Sequence, residues 1–323
     1  MPCHPSSPPH RRRLPLCVLP LCALLLLAAC RRDSAELPGA ATEPAAAVRQ
    51  LAQYLHDNDL AGYARAAVPP ADYAMLESAW RDGHSRWPLT ELPLDEKLPG
   101  LLATLSAADA EQQLQRAFKA QIAGQAVGVR QAAHSFGLFG VQYLSNQGDY
   151  SAEARAHYVQ MVTALSEWAV AAPLSDPTLA QRTISTLVSA ARATGLTSDA
   201  AFQEAGMSGS LQRLQPLLLA SKQILASYGL PVDESLSQLR AGLVSEQGND
   251  AMVRVQYPLA DRQLDIQVAL QRRDGHWYLQ QTLAEVQAVL QLAAAAEAAR
   301  ATETTPDAAV DAAQEPAVSS AKP

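Results

Sequence analysis

Residues 249–280, NDAMVRVQYPLADRQLDIQVALQRRDGHWYLQ, carry a pattern that differs from the rest of the chain. Apolar and polar side chains alternate from Val253 to Tyr257 and again from Leu264 to Leu270. A period of two is typical of strands that bury one face of a sheet. Asp274-Gly275 is a strong hairpin-turn dipeptide and implies a third strand after it. The stretch therefore predicts a three-stranded antiparallel meander over 251–280.

The residues on both sides of this meander have helical spacing. A helix is predicted from Leu283 to about Ala296, where it would cover the sheet. Four apolar residues upstream have the i, i+3, i+4, i+7 spacing of one helical face: Val48, Leu51, Ala52 and Leu55. We predict a predominantly helical α+β fold, with about seven to nine helices followed by the three-stranded antiparallel meander and a C-terminal helix.

Three upstream segments carry more specific expectations. Residues 48–66 are predicted to form one amphipathic helix, and residues 83–100, with three prolines, to form a loop. One long helix is predicted from about residue 107 to 143. Its GxxxG spacing at Gly124 and Gly128 favours close packing by another helix inside a soluble core, since polar residues interrupt the membrane-type motif.

The N-terminus begins with a basic segment and continues with sixteen apolar residues, Leu14 to Ala29. At about 1.5 Å per residue a helix of this length spans roughly 24 Å, which is less than a hydrocarbon core of about 30 Å. Pro15 and Pro20 weaken a regular spanning helix further. The order of basic, apolar and small residues is typical of a cleaved export signal.

Leu27-Ala28-Ala29-Cys30 resembles the lipobox of bacterial lipoproteins. The resemblance implies that residues 1–29 are a lipoprotein signal peptide and that Cys30 becomes the acylated first residue. Arg31 after the cysteine, by the sorting habit of that family, implies the outer membrane with the folded part in the periplasm. The alternatives are an ordinary secretory signal with a chance cysteine, or a signal anchor.

Cysteine positions agree with that interpretation. The chain has four cysteines, and all of them lie at or before the proposed cleavage site: Cys3, Cys17, Cys22 and Cys30. A chain that begins at Cys30 would therefore have no internal disulfide, no cysteine-based zinc site and no cysteine nucleophile.

Charge and composition divide the remaining chain. Removal of residues 1–29 takes away three arginines and no acidic residue, leaving 22 basic and 32 acidic residues, a net charge of −10. This balance argues against nucleic acid as a partner. We expect a lipid-anchored flexible tether over 30–47, a mainly helical globular domain over 48–297 and a disordered acidic tail over 298–323.

Motifs of catalysis or cofactor binding are absent from the sequence, including GxSxG, HExxH, the Walker loop and GxGxxG. Five histidines follow residue 29, without metal-ligand spacing: His56, His84, His134, His157 and His276. The sequence therefore predicts no catalytic, cofactor-binding or metal-binding residue and no cofactor, and it leaves enzymatic activity open. The one site residue that it predicts is the lipid attachment at Cys30.

The DGHWYL stretch, Asp274 to Leu279, is similar to the last strands of NTF2-like domains of secreted bacterial proteins. That resemblance implies a sheet that wraps a cavity, with the helix over 48–66 lying against it. About 150 helical residues between the two segments depart from the pattern of such domains, and the resemblance transfers no site residue.

Two functions remain open at this point. The first is a non-enzymatic accessory protein that is held to the membrane by its acyl chains and binds or assembles with an envelope protein. The second is a small-ligand binder or hydrolase with a cavity between the meander and the helices. The predicted anchor, the long tether and the lack of catalytic motifs favour the first, which is the function we expect. The loop that holds His84 and Trp87, together with the aromatic residues of the hairpin, supports the second as the alternative.

Overall fold

A computed structural model describes residues 43–91, 95–146 and 151–303, with side chains described up to residue 300. The predicted signal peptide, Cys30 and the tail beyond residue 303 lie outside the described residues, as does the tether up to residue 42. Within these ranges the chain is predominantly helical and α+β, as predicted, with helices first, then an antiparallel sheet and a final helix.

The helices before the sheet are α1 Pro44–His56, α2 Leu60–Ala67, α3 Pro70–Arg81, α4 Leu98–Ser106, α5 Ala110–Gln121, α6 Ala126–Ser145, α7 Ala152–Ala171, α8 Pro177–Thr194, α9 Asp199–Ser227 and α10 Val232–Ser237. The sheet and the last helix are β1 Arg240–Gln247, β2 Asp250–Leu259, β3 Arg262–Arg273, β4 His276–Leu279 and α11 Gln280–Glu303. Short 3-10 turns occur at Leu89–Glu91 and Asp95–Lys97. The described part therefore has eleven helices, ten before the sheet and one after it.

The sheet is a meander in the order β1-β2-β3-β4, with every neighbouring pair antiparallel. The three predicted strands are β2, β3 and β4, and the prediction missed β1. Almost every residue of β1 is exposed, so its sequence lacks the alternation that marks a strand with one buried face. Backbone pairing with β2 holds it at the edge of the sheet.

One face of the sheet is apolar and buried. Its residues come from β2, β3 and β4 in register: Ala251, Val253, Val255, Tyr257, Leu264, Leu270, Trp277 and Leu279. Helix α1 lies against β1, β2 and β4, and α7 lies against β3. The buried His157 of α7 and the Tyr257 hydroxyl are hydrogen-bonded at 3.2 Å, which joins this helix to the buried face.

Helix α1 buries the four residues that the sequence placed on one face, from Val48 to Leu55. It begins at Pro44, so the fold includes residues that were predicted to belong to the tether. The predicted single helix over 48–66 is wrong, because the chain breaks at Asn58, which adopts a φ of 62°. Asp59 then starts α2 by accepting a hydrogen bond of 2.8 Å from the Gly62 amide.

The predicted long helix over 107–143 is also two helices, and the break contains Gly124 with a φ of 75°. A Cβ at Gly124 or Gly128 would meet no atom within 4 Å, so these glycines are not the close-packing site. Close packing occurs further along α6, where a Cβ at Gly137 would lie 1.9 Å from the Ser166 Oγ of α7. The predicted loop over 83–100 ends early, since α4 begins at Leu98.

Trp80 and Arg86 hold the segment after α3 against α9. The Trp80 indole donates a hydrogen bond of 2.9 Å to the Phe202 carbonyl. The Arg86 guanidinium lies 5.4 Å from the Trp80 ring centroid and 5.2 Å from that of Phe202, and it also binds Asp199. These contacts fix the start of the segment that leads to Glu91.

Helix α9 contains a kink at Gly206, which has a φ of 69° and a ψ of 175°. L-residues with a side chain almost never adopt this conformation. The part of the helix after the kink has its own N-terminus, and the Ser208 amide there donates a hydrogen bond of 3.1 Å to the Glu77 carboxylate of α3. A carboxylate at a helix N-terminus satisfies a free amide and favours the helix dipole.

Two glycine substitutions three residues apart should change stability in opposite directions. Gly206→Ala should lower the free energy of unfolding by about 1–3 kcal/mol, because the backbone there is in a region that suits glycine only. Gly209→Ala should raise it by up to about 1 kcal/mol, because a helical Cβ meets only the Ala205 Cβ at an ordinary 3.6 Å. Urea denaturation measures both, and a change of the same sign in the two variants would contradict the kink.

Candidate functional site

A cavity of about 490 Å³ lies between β3, the start of α7 and the start of α11, with α2 and the 3-10 turn at Leu89–Glu91 completing its wall. Its lining residues are Tyr63, Glu91, Ser151, Glu153, Ala154, Tyr158, Ile266, Gln267, Val268, Ala269, Leu279, Gln280, Gln281, Thr282, Ala284 and Glu285. The volume is in the range of small-molecule sites, roughly 300–1,000 Å³.

Two features of the chain bring Glu91 and Glu285 to this cavity. Helix α11 begins directly after β4 without a connecting loop, so Glu285 lies on the second turn of a helix that continues from the sheet. Glu91 ends the 3-10 turn, and the buried Trp87 lies four residues before it in the chain. The Trp87 indole donates a hydrogen bond of 2.8 Å to the Glu91 carboxyl group.

Glu91 is a buried acid, with 6% of its surface exposed. Burial raises its pKa to about 8, the charge of Glu285 adds to that rise, and the bond from Trp87 opposes it. A hydrogen bond between the Glu91 and Glu285 carboxyl groups also favours the protonated form of Glu91. The raised pKa therefore favours the protonated form of Glu91 at pH 7.

Tyr63 lies beside this pair and has 4% of its surface exposed. Burial raises the pKa of its hydroxyl well above 10, and the charges of Glu91 and Glu285 raise it further. The hydroxyl therefore stays neutral at physiological pH and is available to the cavity as a hydrogen-bond donor or acceptor.

The charge of the cavity wall has one sign. Its ionisable acids are Glu91, Glu153 and Glu285, and no lysine, arginine or histidine is among its lining residues. The remainder of the wall combines amide side chains with an apolar strip that includes Ile266, Val268 and Leu279. Such a wall favours a cationic or hydrogen-bond-donating head group attached to an apolar body.

Of the two residues that the sequence singled out in the loop, Trp87 holds Glu91 while His84 is not among the cavity-lining residues. His157 is buried against Tyr257, next to the cavity-lining Tyr158, and burial lowers its pKa against the opposing effect of Asp265. His56 binds Asp57 at 2.9 Å, and the exposed side of the hairpin carries His276. Among the described residues, no group of three or more histidines, cysteines or acids is placed to hold a metal ion.

Sequence reasoning missed Tyr63, Glu91 and Glu285. None of the three belongs to a motif, and the chain brings them together from α2, a 3-10 turn and α11. The one usable signal was the position of Glu91 four residues after Trp87, in a segment rich in leucine and proline. An acid in such a segment has to find a partner if the loop is buried.

Comparison with known proteins leaves the site to be interpreted from its own geometry. No protein-family description matches the chain, and neither characterised proteins nor solved structures show significant similarity to it. In the described ranges, no helix has both the length and the apolar character needed to cross a bilayer.

The raised pKa of Glu91 predicts a pH-dependent stability. Since the folded chain keeps a proton that the unfolded chain releases above the ordinary glutamate pKa of 4.5, the free energy of unfolding should fall as pH rises from about 4.5 to about 8. Glu91→Gln keeps a neutral hydrogen-bond donor towards Glu285 and should remove this dependence. The variant should be more stable than the natural chain by roughly 1–3 kcal/mol at pH 8.

Chemical denaturation between pH 4 and pH 9 measures this effect. Glu234→Gln, at an exposed position of α10, is the matched control and should leave the pH profile unchanged. A profile of Glu91→Gln that runs parallel to that of the natural chain would show that Glu91 is not protonated in the folded state.

Proposed function

We propose that the folded part of this chain binds a small organic cation in the cavity between the sheet and the helices. The observation that carries the proposal is the hydrogen-bonded Glu91–Glu285 pair, which faces a cavity of ligand size whose lining has no basic residue. The buried Glu91 keeps a proton when no cation is bound, because the neighbouring charge of Glu285 repels a second carboxylate.

Binding would exchange the proton of the acid pair for the positive charge of the ligand. An ammonium group that enters the cavity replaces the proton of Glu91, and the two carboxylates then share the positive charge of the ligand. The Tyr63 hydroxyl lies beside the pair and supplies a further hydrogen bond. The apolar strip of β3 packs against the body of the ligand.

The geometry of the pair favours binding over glycoside hydrolysis. Glycoside hydrolysis needs room for a sugar or a water molecule between two carboxyl groups. Glu91 and Glu285 interact directly at the cavity wall, and Glu285 shifts the pKa of Glu91 upward.

Titration calorimetry with choline, ethanolamine and spermidine tests the proposal, with acetate and phosphate as anionic comparisons. We expect the cations alone to bind, and Glu285→Gln to weaken the binding at least tenfold, since it removes a carboxylate of the pair. Glu297→Gln, exposed on the same helix, is the matched control and should bind like the natural chain.

Choline carries a fixed charge, so the pH dependence of its binding reports on the protein alone. Its affinity should rise with pH by up to about tenfold per unit and level off above a pH of about 8, as one proton leaves for each cation bound. Equal heats with anions and cations, or choline binding that does not change between pH 6 and pH 9, would contradict cation binding at this pair.

We further propose that the chain is a lipid-anchored envelope protein, acylated at Cys30 and exposed to the periplasm from the outer membrane. The support for this is the Leu27-Ala28-Ala29-Cys30 tetrapeptide at the end of a short apolar run, followed by Arg31. Two or more acyl chains are sufficient for stable membrane attachment, because each buried methylene contributes about 0.8 kcal/mol.

Mass spectrometry of the protein extracted from its own cells in detergent tests the anchor. We expect a polypeptide that begins at Cys30 and carries added acyl mass, and we expect Cys30→Ser to leave the precursor uncleaved and without that mass. An unmodified N-terminus at another residue in the natural protein would overturn the anchor, and it would leave the cavity proposal untouched.

An accessory role through an envelope protein is the second candidate function. The observation that favours it is strand β1, an eight-residue edge strand with Leu243 and Val244 half exposed, to which a partner strand could add. A native mass spectrum of the extracted protein distinguishes the two functions. A retained small cation supports the cavity, whereas a retained second polypeptide of defined mass supports the accessory role.

A further inference from the structure

The start of α7, residues 151–158, forms one side of the cavity wall. Residues 151–156 are exposed or half-buried, and the first buried residues of the helix are His157 and Tyr158. Four residues of this segment line the cavity: Ser151, Glu153, Ala154 and Tyr158. The contacts that hold His157 and Tyr158 in place therefore also keep this side of the wall closed.

The rest of α7 is fixed by contacts of its own. Met161 and Ala164 are fully buried in the core. Near the end of the helix, the Trp168 indole donates a hydrogen bond of 2.8 Å to the Tyr228 carbonyl. The first two turns could therefore leave the sheet while the remainder of the helix stays in place, and His157 lies at the border between the two parts.

His157 holds this border through a buried contact with the sheet. It is 2% exposed, and its Nε2 and the Tyr257 hydroxyl are hydrogen-bonded at 3.2 Å. Its Nδ1 is buried and has no hydrogen-bond partner among the described residues. A protonated imidazole carries an N–H donor on each nitrogen. Protonation in the closed structure would therefore leave a charged ring out of water with one donor unpaired, which is costly.

The charge nearest to the ring favours protonation but does not outweigh this cost. Asp265 of β3 raises the pKa of His157 through its backbone and its carboxylate, and burial lowers the pKa by more, so that it lies below its ordinary value of 6.5. Arg254 donates a hydrogen bond of 2.8 Å to the Asp265 carboxylate, which engages that charge elsewhere.

Other titratable groups on the elements around the ring do not contribute to the shift in its pKa. On the described parts of α7, α6 and β2 these groups are Glu153, Arg155, Tyr158, Arg130, His134, Tyr143, Arg254 and Tyr257. Burial of the ring and the opposing effect of Asp265 therefore determine how His157 responds to pH.

We propose that acid opens the cavity at the start of α7 and that His157 is the group that responds. Neutral His157 packs against Tyr257 and keeps residues 151–158 on the sheet. Protonated His157 is more stable in water, so this segment leaves the sheet as the pH falls below about 6.5.

The inference rests on the proposed function, to which it adds regulation. A fall in pH also returns the proton to Glu91, which removes the charge that holds a bound cation. Acid would thus weaken the binding of the ligand and open a side of the cavity through which the ligand leaves. The site takes up its cation at a pH near 8 and releases it on acidification.

The pH dependence of this opening has a definite sign. Since the ring has its ordinary pKa when the segment is open and a lower pKa when it is closed, the closed form has its full stability above pH 6.5 and loses stability as the pH falls further. Glu91 has the opposite effect on unfolding of the whole chain, which becomes less favourable in acid. Acid opening that is confined to the start of α7 is therefore distinguishable from global unfolding.

Hydrogen exchange followed by mass spectrometry tests the opening on the full-length protein between pH 5 and pH 8. The rates are corrected for the intrinsic pH dependence of amide exchange. We expect peptides from residues 151–158 to lose protection below pH 6.5, by up to about tenfold per pH unit. Peptides from α8, which does not form this wall, should keep their protection over the same range.

Three variants assign the effect to the ring. His157→Gln keeps a neutral partner for the Tyr257 hydroxyl and should remove the acid dependence. Tyr257→Phe removes the hydrogen bond and keeps the imidazole, so exchange should be faster at every pH and the acid dependence should remain. His134→Gln, at an exposed histidine of α6, is the matched control and should behave like the natural chain. Circular dichroism checks that each variant is folded.

Two results would overturn the proposal: equal protection of residues 151–158 at pH 5 and pH 8, or an acid dependence that His157→Gln leaves unchanged. If His157→Gln does not fold, loss of the acid dependence in Tyr257→Phe has the same meaning. Choline calorimetry on the same preparation tests the cavity separately. Acid opening without choline binding would remove the proposed cation function alone, and choline binding without acid opening would remove the regulation alone.

Discussion

Burial of one face of the sheet is the constraint on which the other features depend. The register of β2, β3 and β4 places their apolar side chains on the same side, and this face requires cover over its whole width. Helix α1 supplies it across β1, β2 and β4, and α7 supplies it over β3. The cavity lies where the cover is incomplete, between α7 and α11, so the same requirement that builds the core also determines where a ligand could enter.

The buried Glu91, paired with the partly exposed Glu285, shows what this arrangement costs. A carboxyl group removed from water strongly disfavours its charged form, and Glu91 avoids the full penalty by keeping its proton and by accepting a bond from Trp87. A pair of apolar residues would fill the same space without that cost. The stability of the fold does not require two glutamates and a buried tyrosine at the wall of a cavity, whereas the proposed binding of a cation does.

The sequence predicted the parts of the fold that depend on local patterns. Alternation identified β2 and β3, Asp274-Gly275 identified the last hairpin, and helical spacing identified the buried face of α1. It missed β1, which is exposed and has no alternating burial, and it missed the breaks at Asn58 and Gly124, where only the backbone angles differ. The acid pair could not be predicted from the sequence, because the two residues belong to no motif and are brought together only by tertiary structure. Cys30 stays a prediction, since it lies outside the described residues.

Because no loop separates β4 from α11, a movement of the helix at the cavity is transmitted along the helix to its C-terminal end. Its first turns form one wall of the cavity, and its 24 residues correspond to a length of about 36 Å. Val286 is fully buried near the start, and Gln287 contacts Asp72 of α3, whereas most residues beyond Ala293 are exposed. Val289 and Leu290 also pack against the core and Ala293 is buried, so the ten residues 294–303 project beyond the packed part over about 15 Å. A tilt of a few degrees around an occupant of the cavity would therefore move the C-terminal end of the helix by about 1 Å.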